Sequence, residues 1–225
     1  MRSLAMRMTL NTAKFLAVLA IVLFVSAGTP RFWQAWLYLA LNLVWLTVVG
    51  VYFLRKDPAL VERRLTQDEQ GEKQKVQKVV MAIFRVLGVT TLVVAGLDHR
   101  FGWSAVPPAL VAAGCIVFTA GNVLVFVVFL ANSYTSSIIE VAAAQTVVAT
   151  GPYRALRHPM YTGTVLIGLG SPLVLGSYWA ALLLPAGWAL LVVRILAEER
   201  LLSEQLRGYA DYMGKTRSRL IPGVW

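Results

Sequence analysis

Two short polar segments near the C-terminal end hold residue types that can do chemistry. The first reads G-P-Y-R-A-L-R-H-P-M-Y-T-G over Gly151–Gly163, and the second reads R-I-L-A-E-E over Arg194–Glu199. Between His158 and Arg194 lie 35 residues without a charged side chain or a histidine. If this apolar stretch folds back as a hairpin across a membrane, both polar segments return to the same surface and can form one site.

The first segment predicts the start of a helix that can bind an anion. The residue before a proline avoids helical geometry, and proline suits the first helical turn, so His158 should stand at the entry with Pro159 just inside. The first N–H groups of the helix would then attract a carboxylate or phosphate. Gly163 allows another helix or a ligand to come close. The alternative is a helix cap at the lipid surface, with Tyr161 as an interfacial aromatic residue.

The second segment places an arginine and two carboxylates at the end of an apolar run. Glu198 follows Arg194 by four residues, so both lie on one face of a helix. Ionisable groups at this depth are costly, and they indicate a functional site by default. Glu199 points away by about 100°, as expected for adjacent residues of a helix. The alternative is that Arg194 reaches the interface and forms a local ion pair.

Composition defines the class of protein. Only 14% of the residues are charged and 58% are hydrophobic, whereas globular domains average about 25% charged residues. Mean hydropathy is +0.66. Cys115 is the one cysteine and there are two histidines, which excludes an internal disulfide and argues against a metal site built from either residue type. The net charge of +10 reflects topology rather than nucleic-acid binding, because the basic residues collect beside the apolar runs.

The apolar runs predict an all-α protein with about six transmembrane helices. The last run would make a helix of about 52 Å, far longer than a hydrocarbon core of about 30 Å. A turn at Gly176-Ser177 would divide it into helices over Pro159–Leu175 and Tyr178–Ala197. One tilted helix with a re-entrant piece is the alternative. The five runs are Phe15–Pro30, Phe32–Leu54, Val79–Leu97 (interrupted by Arg85), Trp103–Ala131 and Pro159–Val193.

Six spans give a consistent orientation. They place 18 of the 21 Lys and Arg residues on one side, with Arg31 and Arg100 on the other and Arg85 within a span. By the positive-inside rule both termini face the cytoplasm, with a cytoplasmic site. We therefore expect a multi-pass protein of a bacterial cytoplasmic membrane. Residues 1–131 would form a four-span membrane region, and residues 132–225 the connector, hairpin and tail of the functional region.

The connector Asn132–Thr150 is polar and long for a link between spans. We expect it to fold over the cytoplasmic mouth of the site as a lid. A polar loop lying at the membrane surface is the alternative.

The chain resembles the isoprenylcysteine carboxyl methyltransferase family, within a wider group of membrane methyltransferases that includes phospholipid N-methyltransferases. The likeness is carried by Gly151–Gly163, the L-G-S at Leu175–Ser177, the Glu198-Glu199 pair and the tail G-Y-A-D-Y-M…R-L-I-P-G. It covers about two fifths of the chain, from Asn132 to Trp225. The combination of R-H-P-x-Y-x-G with E-E some 35 residues later is specific, whereas either half alone is weak.

The resemblance implies S-adenosylmethionine as methyl donor, held by helix ends and loops because no G-x-G-x-x-G is present. The implied catalytic residues are Arg194, near the place where donor and methyl acceptor meet, and Glu198. Glu198 and Glu199 would also hold the amino group or ribose of the cofactor. The predicted cofactor-binding set is completed by Gln145, Val148, Gly151, Tyr153, His158, Tyr161 and Gly163.

The leading functional hypothesis is carboxyl O-methylation of a lipid or prenylated acceptor, either a small molecule or a protein. N-methylation of a phospholipid headgroup is the alternative, since the wider group shares the cofactor half. A membrane reductase is disfavoured because His99 and His158 fall on opposite faces and cannot pair on a haem. A transport protein is disfavoured because the first spans lack buried charges. We predict membrane lipids as surroundings and no nucleic acid or metal as partner.

Overall fold

The structure is a computed structural model that describes residues 2–66, 75–133 and 146–225. Throughout these ranges the regular elements are helical, which confirms the all-α prediction. Gln145 and most of the predicted lid lie outside the described residues. The helices are α1 (Arg2–Ala27), α2 (Trp33–Lys56), α3 (Pro58–Thr66), α4 (Lys75–Phe101), α5 (Pro108–Ala131), α6 (Pro159–Val174), α7 (Tyr178–Ala181), α8 (Leu184–Gln205) and α9 (Tyr209–Lys215).

Five helical segments in the described ranges are long and apolar enough to cross a membrane: α1, α2, α4, α5 and the stretch Tyr178–Gln205. Large apolar side chains such as Ile21, Val25 and Ile116 stay exposed on their outer faces, as lipid-facing positions require. The sixth helix, α6, has 16 residues and measures about 24 Å, less than a hydrocarbon core. A multi-pass membrane fold is confirmed, while the total of six spans stays a prediction.

Glycines set the closest helix contact, which lies between α5 and α6. A Cβ added at Gly121 would stand 2.7 Å from the carbonyl oxygen of Gly163, and one added at Gly170 would stand 2.6 Å from the nitrogen of Phe118. Lipid tails are as apolar as the helix faces, so association in a membrane depends on such close packing. This contact holds α6 against the longer α5.

The turn between α6 and α8 occurs where the sequence predicts it. Gly176 has a φ of +68°, a conformation that favours glycine, and the hydroxyl of Ser177 accepts a hydrogen bond from the nitrogen of Ala180. Ser177 Oγ also donates to Asp98 Oδ2 at 2.5 Å, and Ser104 Oγ donates to the same oxygen at 2.6 Å. The buried Asp98 therefore fastens the turn to the end of α4.

The segments predicted to share one membrane surface do meet at one end of the bundle. Leu4, Phe53, Leu60, Val128 and Phe129 form one apolar cluster, which joins the start of α1, the end of α2, α3 and the end of α5. We call this end the site end. Its position on the cytoplasmic side stays a prediction.

Candidate active site

The start of α6 has the predicted geometry. His158 is the N-cap residue and Pro159 lies in the first turn, where its missing N–H leaves no hydrogen bond unmade. The first helical hydrogen bond runs from the nitrogen of Thr162 to the carbonyl oxygen of His158 at 3.1 Å. His158 is thereby fixed at the site end, with its ring stacked 5.6 Å from that of Tyr161.

The C-terminal strap, which we define as Arg217–Trp225, runs beside this motif. Four hydrogen bonds attach it to the motif, and the guanidinium of Arg219 lies 5.1 Å from the centre of the Trp225 ring. The four bonds are from Arg157 N to Ser218 O (2.9 Å), from Arg157 Nη2 to Arg217 O (2.8 Å), from His158 N to Arg219 O (3.0 Å) and from Thr162 Oγ1 to Leu220 O (2.8 Å). The tail part of the sequence motif is thus a neighbour of its histidine part.

Glu199 lies at the centre of a buried cluster of charges. Its Oε1 contacts Arg157 Nη1 at 2.7 Å and His158 Nε2 at 3.2 Å, and its Oε2 accepts from Arg219 Nε at 2.9 Å. The residue is 6% exposed. Both carboxylate oxygens are engaged by basic groups from the segment that leads into α6 and from the strap, so the contacts of Glu199 serve to close the hairpin. Its predicted contact with the cofactor stays a prediction.

Glu198 belongs to a second group of polar side chains. Tyr161 Oη donates to Glu198 Oε2 at 2.5 Å and accepts from Arg194 Nε at 3.0 Å. Arg194 Nη1 donates in turn to Gln77 Oε1 on α4, at 3.4 Å. Arg194 and Tyr161 are buried, whereas Glu198 is half-buried. The two polar segments Gly151–Gly163 and Arg194–Glu199 therefore meet, and the hydroxyl of Tyr161 bridges them.

Gly151 and Tyr153 lie in a short 3₁₀ turn, Gly151–Arg154, that leads into the motif. Gly151 has a φ of +57°. Tyr153 Oη accepts from Asn132 Nδ2 at 3.1 Å, and its carbonyl oxygen accepts from Tyr212 Oη at 2.7 Å. Burial raises the pKa of Tyr153 to about 12, so the phenol stays protonated near neutral pH and acts as a hydrogen-bonding group.

Three buried polar atoms around the site have no hydrogen-bond partner within the described residues: Gln77 Nε2, Arg157 Nε and Tyr209 Oη. Tyr209 is 4% exposed. Burial raises the pKa of Tyr209, and the charges of Glu198 and Glu199 raise it further. Its hydroxyl therefore lies in the field of both carboxylates. Buried polar groups normally have partners, so these atoms mark places where a polar ligand would fit.

Two further residues of the predicted cofactor-binding set, Gly163 and Val148, lie in the described ranges. Gly163 is buried against α5, where an added Cβ would meet Val125 Cγ2 at 2.7 Å; of the two roles left open for it, the structure supplies the neighbouring helix. Val148 is half-buried at the site end. The cofactor-binding role of Gly163 and Val148 stays a prediction.

His99 stacks on Phe32 at the opposite end of the bundle, so His99 and His158 do not meet.

Sequence reasoning missed four members of this site. Arg157 and Arg219 looked like topology-determining charges, yet they hold Glu199, and Tyr209 was only part of a tail motif. Gln77 was overlooked because it precedes an apolar run by two residues within a charged segment. A buried partner for Arg194 was the signal to search for, since an arginine at this depth requires one.

Comparison with known proteins bears on the whole arrangement. Residues 109–208 match the model of the phospholipid methyltransferase family, a range that covers α5 and the hairpin with Glu198 and Glu199. The fold is similar to that of the eukaryotic intramembrane Ras methyltransferase ICMT (isoprenylcysteine carboxyl methyltransferase), solved without a monobody. That likeness has a TM-score of 0.59 at 20% identity and covers 95% of this chain and 75% of that chain. No curated protein matches the sequence.

Proposed function

We propose that this chain transfers a methyl group from S-adenosylmethionine to the carboxylate of a lipid-like acceptor. The match of residues 109–208 to the phospholipid methyltransferase family and the likeness of the fold to an isoprenylcysteine carboxyl methyltransferase support a membrane methyltransferase. The observation that carries the proposal is the hydrogen-bonded group of the buried Arg194 and Tyr161 with the half-buried Glu198. It pairs a fixed cation with a carboxylate where the ends of the hairpin meet, at a depth that a membrane lipid can reach.

The polar groups of S-adenosylmethionine fit the side chains at the site end. The second oxygen of Glu198, Oε1, can accept from the cofactor ammonium while Oε2 holds Tyr161. The unpartnered hydroxyl of Tyr209 suits a ribose hydroxyl. The start of α6 suits the cofactor carboxylate, because the first N–H groups and the helix dipole favour an anion there.

The bound cofactor supplies an electrophilic methyl group, so the protein has to align the reactants and exclude water. Arg194 is a suitable aligning group, because its guanidinium is planar and always charged. Its Nε is fixed by Tyr161 and one of its terminal nitrogens by Gln77. A carboxylate acceptor is already ionised at neutral pH, so no general base is needed for transfer to its oxygen.

N-methylation of a phospholipid headgroup is the second candidate, favoured by the name of the family whose model matches residues 109–208. A primary ammonium must lose a proton before it can accept the methyl group. Glu198 would take that proton on Oε1, since Tyr161 occupies only its Oε2. In this case Arg194 would hold the headgroup phosphate rather than the reacting group.

Labelled cofactor tests both candidates. The protein in nanodiscs is given tritium-labelled S-adenosylmethionine with N-acetyl-S-farnesylcysteine as a carboxylate probe, or with phosphatidylethanolamine as an amine probe. Methyl esters release volatile methanol in alkali, whereas N-methylated headgroups keep the label in the lipid extract. We expect the alkali-labile product. Exclusive label in the headgroup would favour the second candidate.

Calorimetry provides a test that does not depend on the acceptor. We expect S-adenosylhomocysteine, the demethylated product, to bind the purified protein in the micromolar range. Absence of both binding heat and a thermal shift up to millimolar ligand would contradict either form of methyl transfer.

A further inference from the structure

A cleft opens between α4 and α8, next to the Arg194–Tyr161–Glu198 group. Its volume is ≈ 440 Å³, within the range of about 300–1,000 Å³ that small-molecule sites occupy. Most of its wall is aliphatic, and the polar residues fall at its two ends. The lining residues are Val76, Gln77, Val193, Leu196, Ala197, Arg200, Leu201 and Glu204.

Gln77 gives the inner end of the cleft its chemical character. It is 0% exposed, and its Oε1 accepts from Arg194 Nη1 at 3.4 Å. A guanidinium has only donors, so this contact requires the amide oxygen to face Arg194 and leaves the NH₂ group on the other side. That group, Nε2, has no partner within the described residues. A buried donor without a partner is unfavourable, and a ligand oxygen at this place would satisfy it.

The cleft walls indicate the rest of the ligand. Val193 and Leu196 are 45% and 49% exposed, on the outer face of a membrane-spanning helix, so the cleft is open toward the acyl chains of the bilayer. At the other end Arg200 and Glu204 are well exposed and 4.0 Å apart. A ligand seated here would have an apolar chain in the bilayer and room for a polar remainder toward the membrane surface.

We infer that the α4–α8 cleft binds the methyl acceptor as a carboxylate-bearing amphiphile, with one carboxylate oxygen on Gln77 Nε2. Gln77 then acts as a substrate-binding residue that selects oxygen over nitrogen. Both groups facing the reacting position from this side, the amide NH₂ and the guanidinium of Arg194, are hydrogen-bond donors. Donors suit an oxyanion and repel an ammonium. The inference rests on the proposed methyl transfer and narrows its acceptor class.

Four variants test the inference in nanodiscs, with N-acetyl-S-farnesylcysteine as the carboxylate probe. Gln77→Leu removes the donor at similar size, together with the contact to Arg194. Gln77→Glu keeps an oxygen for Arg194 and replaces the donor with a negative charge. Gln205→Leu repeats the first change at an exposed position of α8 and is the matched control. Ala197→Leu narrows the cleft without altering a polar group.

We expect Gln77→Leu to raise the KM for the carboxylate probe roughly ten- to hundredfold, the effect of losing a hydrogen bond to a charged group. Gln77→Glu should raise it further, because like charges repel. Ala197→Leu should raise KM as well, whereas Gln205→Leu should not. Affinity for S-adenosylhomocysteine, measured by calorimetry, should stay within threefold in all four, which a general loss of structure would not allow.

A second apolar cavity of ≈ 250 Å³, between α1, α2, α3 and α5, provides the competing location. Gly50→Ala adds a methyl group there, beside the flexible end of Met8. If Gly50→Ala raises the KM and Ala197→Leu does not, the assignment to the α4–α8 cleft is overturned. It is also overturned if Gln77→Leu behaves like Gln205→Leu.

Failure of the proposed function has a separate signature. Wild-type protein that neither binds S-adenosylhomocysteine nor transfers methyl groups would remove the basis of both proposals. The cleft assignment alone would be overturned by a different result. In that case the wild-type protein binds S-adenosylhomocysteine and methylates the carboxylate probe, and the Gln77 and Ala197 variants have unchanged kinetics.

Discussion

Tyr161 Oη donates a hydrogen bond to Glu198 Oε2 at 2.5 Å, and this contact joins two sequence segments that lie 37 residues apart. Tyr161 belongs to the first turn of α6 and Glu198 to the last part of α8. The same hydroxyl accepts from Arg194 Nε, so a single phenol sets the distance between the cation and the carboxylate. An intact hairpin is needed for this arrangement.

Replacing Tyr161 by Phe should therefore disorganise the site more than the fold. The change keeps the ring and removes one hydroxyl with two hydrogen bonds. We expect methyl transfer to fall about tenfold or more, since hydrogen bonds to charged groups are worth about 1.5–3 kcal/mol. The rate of transfer from labelled S-adenosylmethionine measures the effect. Tyr178→Phe, at an exposed position of the opposite end, is the control, and equal activity in both variants would contradict a role for the hydroxyl.

Glu198→Gln should weaken cofactor binding or transfer while the protein remains folded. The amide keeps the shape of the side chain but lacks the charge that a cofactor ammonium or a proton would need. The expected loss is roughly ten- to hundredfold, measured as calorimetric affinity for S-adenosylhomocysteine and as turnover. Asp211→Asn, at an exposed position of α9, is the control. Wild-type affinity and turnover in Glu198→Gln would rule out both assigned roles.

Glu199→Gln should instead reduce stability. Its carboxylate contacts Arg157, His158 and Arg219, and removing one member of a buried ion pair costs about 3–5 kcal/mol. Unfolding of the purified protein by denaturing detergent should shift to a lower concentration, whereas Glu204→Gln should change stability by less than about 1 kcal/mol. Wild-type stability with lost nucleoside affinity would assign Glu199 to the cofactor after all.

The sequence alone predicted the parts of the fold that depend on local chemistry. His158-Pro159 predicted the start of a helix, because a proline restricts the backbone of the residue before it. Gly176-Ser177 predicted the turn, because glycine adopts backbone angles that other residues avoid. The i, i+4 spacing placed Arg194 and Glu198 on one face. Hairpin closure followed from the length of the apolar run against the thickness of a membrane.

The contacts that depend on tertiary packing could not be predicted from the sequence. Adjacent residues Glu198 and Glu199 look equivalent in the chain, yet they face different neighbours. Arg157, His158 and the strap contact Glu199, whereas Tyr161 of α6 contacts Glu198. Gln77 reaches Arg194 across 117 positions, a separation for which no pattern in a single sequence gives a signal. The sequence left open whether a ligand or another helix approaches Gly163. The position of α5 shows that a helix does.

Gly163→Ala should loosen the contact between α5 and α6. The new methyl group would lie 2.7 Å from Val125 Cγ2 and 2.9 Å from the carbonyl oxygen of Gly121, and the second neighbour is backbone that cannot move alone. Overpacking typically costs about 1–3 kcal/mol, measured as detergent-induced unfolding. Gly168→Ala on the same helix meets no atom closer than 3.8 Å and should be near neutral. Unchanged stability with weakened nucleoside binding would support the predicted cofactor contact of Gly163.

Arg194→Lys should damage transfer more than cofactor binding. Lysine keeps the charge, but it cannot hold Tyr161 through one nitrogen and Gln77 through another while it presents a further donor to the methyl acceptor. Arg194 lies about one helical turn from Glu198 toward the interior of the membrane, nearer to where a lipid waits. We expect turnover, or affinity for the carboxylate probe, to fall at least tenfold, while the Kd for S-adenosylhomocysteine stays within a few-fold. Arg207→Lys, at an exposed position just after the same helix, serves as the matched control. Equal loss of nucleoside binding would make Arg194 part of the cofactor pocket, and no loss of either would leave it a structural residue that ties α4 to α8.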